Sequence, residues 1–76
     1  MSKFRKLSLK ILESLDRAPH NSESLAIYYD VEETSLEKLV QKMLAKKLIK
    51  QLYTEQNRFL AITIKGYLFL HGWRKR

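Results

Sequence analysis

The chain has 76 residues, no cysteine, one proline and two glycines, with 15 Lys+Arg against 8 Asp+Glu for a formal net charge of +7. A length of this order is one domain rather than two; such a chain buries only about 60% of its unfolded surface, so its packing must be efficient or a partner subunit must complete the core. The missing thiols exclude a disulfide and a thiolate zinc site, the 45% hydrophobic fraction argues against disorder, and an apolar-rich stretch such as Phe59 to Ile64 is far short of the roughly 20 residues that span a bilayer.

Phe4, Leu7, Ile11, Leu12 and Leu15 recur at helical spacing, with Ser2 placed to cap the start and Pro19 just past the end, which predicts a first helix over about 3–17. A second helix is expected over about 22–29, with Asn21-Ser22 offering the cap and Leu25, Ala26, Tyr28 and Tyr29 on the buried side. Val31 is a lone apolar residue in an acidic turn, where an anchor between two helices belongs. Leu36, Leu39, Val40, Met43 and Leu44 then follow the i, i+3, i+4, i+7, i+8 pattern and predict a third helix over about 33–46. Thr34 and Glu37 have capping-box spacing.

After Lys46-Lys47 the period changes. Leu48 to Thr54 and Arg58 to Thr63 are rich in β-branched and aromatic residues around a polar Glu55-Gln56-Asn57, so a hairpin is expected over about 48–63, with Asn57 suited to a positive φ. A last helix is expected over about 64–74, capped by Thr63, with Gly66 weakening it only modestly. Its apolar residues wrap around more than one face. One side can pack on the domain while the remainder wants another apolar surface, which predicts a homodimer joined through Tyr67, Leu68, Leu70 and Trp73.

The charge is unevenly spread. Asn21 to Glu37 holds five carboxylates and no base, whereas Lys38 to Lys50 holds five lysines and no acid. The N-terminal segment lacks the apolar core of an export signal, and an intracellular, cytoplasmic protein is expected. His20 and His71 have no companion at metal-ligand spacing, and neither a glycine-rich phosphate loop nor a nucleophile with an assignable base is present; an enzyme is not expected, nor a cofactor.

The order helix, helix, tight turn, helix, hairpin, helix is that of a winged helix. Leu25-Ala26-x-x-Tyr29-Asp30-Val31-x-x-x-Ser35-Leu36-x-x-Leu39-Val40 is similar to a helix-turn-helix: a small residue where two helices touch, a buried aliphatic in the turn, and apolar anchors on the recognition helix. Met43 to Ile49 resembles the helix-to-strand junction of winged-helix transcription regulators, and Ile62-Thr63-Ile64-Lys65-Gly66 resembles the passage from their second wing strand into the last helix. The resemblance is to small regulators of prokaryotic, archaeal or viral type. It implies an α+β, mainly α fold, with a three-helix core, a two-stranded wing and a C-terminal helix, that binds double-stranded DNA. Three places depart from the family's pattern: Asp30 and Lys47 stand where glycine is usual, and Glu32-Glu33 open the recognition helix where Ser or Thr commonly meets a phosphate.

At about 100° per residue, Thr34, Lys38, Gln41, Lys42 and Ala45 fall on the side of the third helix away from its apolar stripe. In a major groove Lys38 and Lys42 would reach guanine edges or phosphates and Gln41 would pair with adenine, with Thr34, Ser35 and Lys46 beside them. Arg58, near the hairpin tip, would enter the minor groove or contact a phosphate, and Lys3, Arg5 and Lys6 would track the backbone. Two other readings stay open. The domain could be a winged-helix protein-interaction module without specific DNA binding, or a binder of RNA or single strands, for which no aromatic platform is evident.

Overall fold

The computed structural model describes the backbone of residues 3–74 and the side chains of residues 5–72. Ser2 as a cap, the side chains of Lys3, Phe4, Trp73 and Arg74, and residues 75–76 therefore lie outside the described residues. Helix α1 (Lys3–Arg17) buries Leu9, Ile11, Leu12 and Leu15. It lies at the centre of the core, against α3 (Glu33–Ala45), α4 (Ile64–Arg74) and the second wing strand, β2 (Arg58–Ile62).

Helix α2 (Ser22–Tyr28) begins at Asn21, whose Oδ1 accepts from the Ser24 amide at 2.7 Å. Leu25 and Ala26 are buried, but Tyr28, expected on the same side, is 73% exposed. The helical wheel explains the correction: Tyr28 falls about 100° from the middle of the arc shared by Leu25, Ala26 and Tyr29. Tyr29 is half-buried; its hydroxyl donates to the Lys10 carbonyl at 2.8 Å and is also bonded to Ser14 Oγ.

Two helix ends share one device. After α2, the Asp30 amide donates to Ile27 O at 3.2 Å and the Val31 amide to Ala26 O at 2.9 Å. After α3, Lys47 donates to Leu44 O at 2.9 Å and Leu48 to Met43 O at 3.0 Å. Each is a Schellman closure, which needs a left-handed residue at its corner, and Asp30 and Lys47 supply it at φ 53° and 61°. The chain thus ends both helices with a left-handed residue that is not glycine, at about 1–2 kcal/mol of local strain each. Val31 and Leu48 then pack on the core and fix the direction of the next element.

Helix α3 buries Leu36, Leu39, Val40 and Met43. The capping box is not formed, because the helix starts earlier than that spacing assumes. Its N-cap is Glu32, which makes no side-chain cap bond, and Thr34 lies inside the first turn with its hydroxyl donating to Glu32 Oε1 at 2.7 Å. Strand β1 (Ile49–Tyr53) pairs antiparallel with β2 from Ile49↔Ile62 to Tyr53↔Arg58. His20 adds a short third rung: its backbone exchanges both hydrogen bonds with Leu60, at 3.1 and 2.7 Å. At the wing tip Asn57 does not have a positive φ. The turn is closed instead by Thr54, whose Oγ1 accepts from the Asn57 amide at 3.0 Å and whose amide donates to Asn57 O at 2.8 Å.

The start of α4 is anchored by Thr63. Its Oγ1 accepts from the Gly66 amide at 3.0 Å and donates toward the Lys47 and Leu48 carbonyls at 2.7 and 2.9 Å. Gly66 has a stronger reason to be glycine than its position in a first turn suggests: a Cβ there would lie 2.0 Å from Leu48 O. Leu70, expected at a dimer surface, is fully buried at 0% exposure and belongs to the monomer core. The outward side of α4 carries Ile64 at 82% and Leu68 at 62% exposure, with Tyr67 and Phe69 at its flanks. His71 is half-buried, with Nε2 3.7 Å from Asp16 Oδ2. Among the described residues no helix is long and apolar enough to cross a membrane.

Candidate nucleic-acid interface

The burial of Leu36, Leu39, Val40 and Met43 turns the opposite side of α3 to solvent. Thr34, Ser35, Lys38, Gln41, Lys42, Ala45 and Lys46 are all exposed there. Such an arrangement follows from the 3.6-residue period once one stripe is fixed in a core. No carboxylate interrupts the face between Lys38 and Lys46; the acids Glu32 and Glu33 are exposed at its N-terminal end, where they complement the helix dipole and oppose an approaching polyanion. Thr34 spends its hydroxyl hydrogen on Glu32, which leaves its oxygen as an acceptor toward solvent.

The fold brings the basic residues of α1 to the two ends of this face. Arg5 shares a recess of about 420 Å³ with Lys42 and Lys46, floored by Leu39, Met43, Leu48 and Phe69. Lys6 shares a second recess, of about 560 Å³, with Lys10 and Ser35. Arg5 of α1 and Lys42 and Lys46 of α3, remote in sequence, thus meet at one recess, whereas the recess of Lys6 and Lys10 is also lined by Asp30 and Glu32. The Lys3 side chain lies outside the described residues.

Arg58 does not join them. It is half-buried, and its Nη2 donates to both Glu37 oxygens, at 2.9 and 3.1 Å, and to Ser22 Oγ at 2.7 Å. It acts as a pin that fastens the start of β2 to the first turn of α2 and to the N-terminal half of α3. Glu37 also accepts from Gln41 Nε2 at 3.3 Å through Oε1. Burial acts to raise the pKa of Glu37, but the Arg58 and Gln41 hydrogen bonds, the Arg58 charge and the Ser22 hydroxyl together outweigh it, so the carboxyl sits below its ordinary value.

The capping-box spacing of Glu37 from Thr34 does not reveal this role, and Ser22 reads in the sequence only as part of a cap. The local signal for the first was its i, i+4 relation to Gln41. Nothing local signals Arg58, which is 21 residues from Glu37 and 36 from Ser22.

Solved structures similar to this chain are transcriptional regulators. BldR from Sulfolobus solfataricus is 25% identical, with a TM-score of 0.84 over 92% of this chain and 52% of its own. Tm0710 from Thermotoga maritima is 20% identical, with a TM-score of 0.85 over the same shares, 92% and 52%. The oxidised form of MarR from E. coli is 16% identical, with a TM-score of 0.82 over 90% of this chain and 51% of its own. This chain therefore spans about half the length of the structures it matches. No protein-family model matches it, and no curated protein is similar to it in sequence. The architecture is a winged helix-turn-helix, mainly helical, with four helices and a two-stranded antiparallel hairpin.

Proposed function

We propose that this chain is a DNA-binding transcriptional regulator of intracellular, cytoplasmic location, with α3 as the recognition helix in the major groove of a duplex. The observation that carries the reading is the exposed, acid-free run of Lys38, Gln41, Lys42 and Lys46 on the side of α3 opposite its core, with Arg5 beside Lys42 and Lys46. Lys38 and Lys42 contact guanine edges or phosphates, Gln41 reads a base, Lys46, Arg5, Lys6 and Lys3 hold the backbone, and Thr34 and Ser35 line the N-terminal end of the contact. Arg58 acts indirectly, by holding the wing. The similarity to BldR and Tm0710 supports the class of function.

A second copy joins through the outward side of α4, at Ile64, Tyr67, Leu68 and Phe69 with Trp73. Two-fold symmetry then presents two recognition helices about 34 Å apart to a pseudo-palindromic site. A test is the salt dependence of duplex binding. Affinity should fall steeply between about 50 and 200 mM salt, and Lys42→Ala should lower the log-log slope by about one. A Lys38→Ala, Lys42→Ala double variant that binds as the parent does would refute the assignment of α3.

The protein-interaction module is the second reading. It is favoured by Ile27 and Tyr28, which are exposed on α2 beside Glu23. Absence of any duplex binding at low salt would select it.

A further inference from the structure

The duplex reading leaves open what decides which base Gln41 meets. A glutamine carboxamide is ambiguous in free solution, because it presents a donor pair and an acceptor that exchange places by a half-turn of the terminal torsion. On α3 it has a fixed neighbour. Glu37, one turn earlier, accepts from Gln41 Nε2 at 3.3 Å. The reverse orientation would set the amide oxygen against a carboxylate oxygen, which is repulsive. Glu37 is itself immobilised, since the same Oε1 that receives Gln41 receives Arg58 Nη2 at 2.9 Å, while Oε2 receives it at 3.1 Å. Arg58 in turn rests on Ser22 Oγ at 2.7 Å. The chain of contacts runs from α2 through the wing to the exposed face of α3.

We propose that Glu37 is the positioning residue for base readout: held by Arg58 and Ser22, its carboxylate fixes the Gln41 carboxamide with Nε2 turned inward and Oε1 outward. One hydrogen of Nε2 is engaged by Glu37. The other, together with Oε1, forms a donor-acceptor edge that matches the N7 acceptor and N6 donor of adenine. A guanine offers two acceptors on the same edge and has no partner for Oε1. The arrangement therefore selects adenine at one position of each half-site, and the wing contributes to specificity through Glu37 without touching that base. Loss of Glu37 frees the carboxamide to turn, which relaxes the preference at that one position. A purely structural part for Glu37 would instead weaken all sequences alike.

The inference rests on duplex binding by α3, and the experiment separates the two. Selection from random duplexes is carried out with the parent chain, Gln41→Ala, Glu37→Ala and Glu37→Met, with thermal unfolding of each protein measured alongside. The parent should favour adenine at one position by about tenfold, and Gln41→Ala and Glu37→Ala should each reduce that preference to about twofold or less while leaving other positions unchanged. Glu37→Met keeps the length of the side chain and serves where Glu37→Ala does not fold. It offers Gln41 no oxygen acceptor in place of Oε1, so it no longer dictates the direction of Gln41, and the same loss is expected. A folded Glu37 variant that retains the adenine preference overturns the proposal, as does a uniform loss of affinity with every preference intact. If Gln41→Ala changes no position, Gln41 is not a base reader and the proposal also falls. A parent chain that binds no duplex at all removes the functional reading itself, a result visible before any variant is compared.

Discussion

The two glycines of α4 provide a matched pair of substitutions with opposite expected signs. At Gly66 an added Cβ would lie 2.0 Å from Leu48 O and 3.0 Å from Ile62 Cγ1. An ordinary C···O contact is about 3.3 Å or more, so α4 and the Leu48 carbonyl would have to part by over about 1 Å. That carbonyl accepts from the Thr63 amide at 3.2 Å and from Thr63 Oγ1 at 2.9 Å, so the displacement strains the junction that starts α4. Overpacking costs about 1–3 kcal/mol and each weakened hydrogen bond about 1 kcal/mol, against about 1 kcal/mol regained from the better helix former. Gly66→Ala should destabilise the domain by about 2–4 kcal/mol, a large part of the roughly 4–11 kcal/mol available to a chain of this size. The melting temperature would fall by roughly 10–30 °C. Gly72 has nothing within 4 Å of the same position, and Gly72→Ala should be stabilising by about 0.5–1 kcal/mol. Urea unfolding followed by far-UV circular dichroism measures both. A Gly66→Ala protein within about 0.5 kcal/mol of the parent would show that the α4 junction yields freely and that the close approach does not constrain the fold.

Other expectations concern strain, pH and assembly. Lys47→Gly relieves a left-handed lysine at φ 61°, and after the larger unfolded-state entropy of glycine is discounted the domain should gain about 0.5–1 kcal/mol in the same urea assay. A loss would mean that the Lys47 side chain contributes more than its backbone costs. Because the pKa of Glu37 is lowered in the folded state from an ordinary 4.5, its ion pair with Arg58 stabilises fully above that value and loses its contribution as pH falls through the folded value. The stability difference between the parent and Glu37→Gln should therefore be present at pH 7 and shrink below about pH 4.5; a difference independent of pH would refute the coupling. Ile64→Glu with Leu68→Glu alters side chains that are 82% and 62% exposed. It should leave the fold intact and convert a sedimenting dimer to monomer, and a parent that is already monomeric at tens of micromolar concentration would remove the α4 interface.

The proposed interface divides along the same physical line as the fold. Lys38, Gln41 and Lys42 were readable from the sequence because a buried stripe at Leu36, Leu39, Val40 and Met43 leaves the opposite stripe no choice but solvent. Arg58 was not readable in the same way. A basic residue near a hairpin tip looks free until the hairpin folds back on α2 and α3, where Glu37 and Ser22 receive it. Leu70 shows the converse: four apolar residues in succession, Tyr67 to Leu70, give no clear period, so the helix does not declare which of them the core will take.

What the sequence determined by itself was therefore the local part of the structure. The helix stripes, the Asn21 and Thr63 caps and the strand segments depend on neighbours within a turn or two, and interactions at that range are written in consecutive residues. Only the tertiary structure decided the His20 rung on Leu60, the Gly66 approach to Leu48 O, the burial of Leu70 and the Glu37–Arg58 pin. Each of these joins elements whose separation is set by how several helices and the wing settle around one core, and no residue carries that distance in its own chemistry.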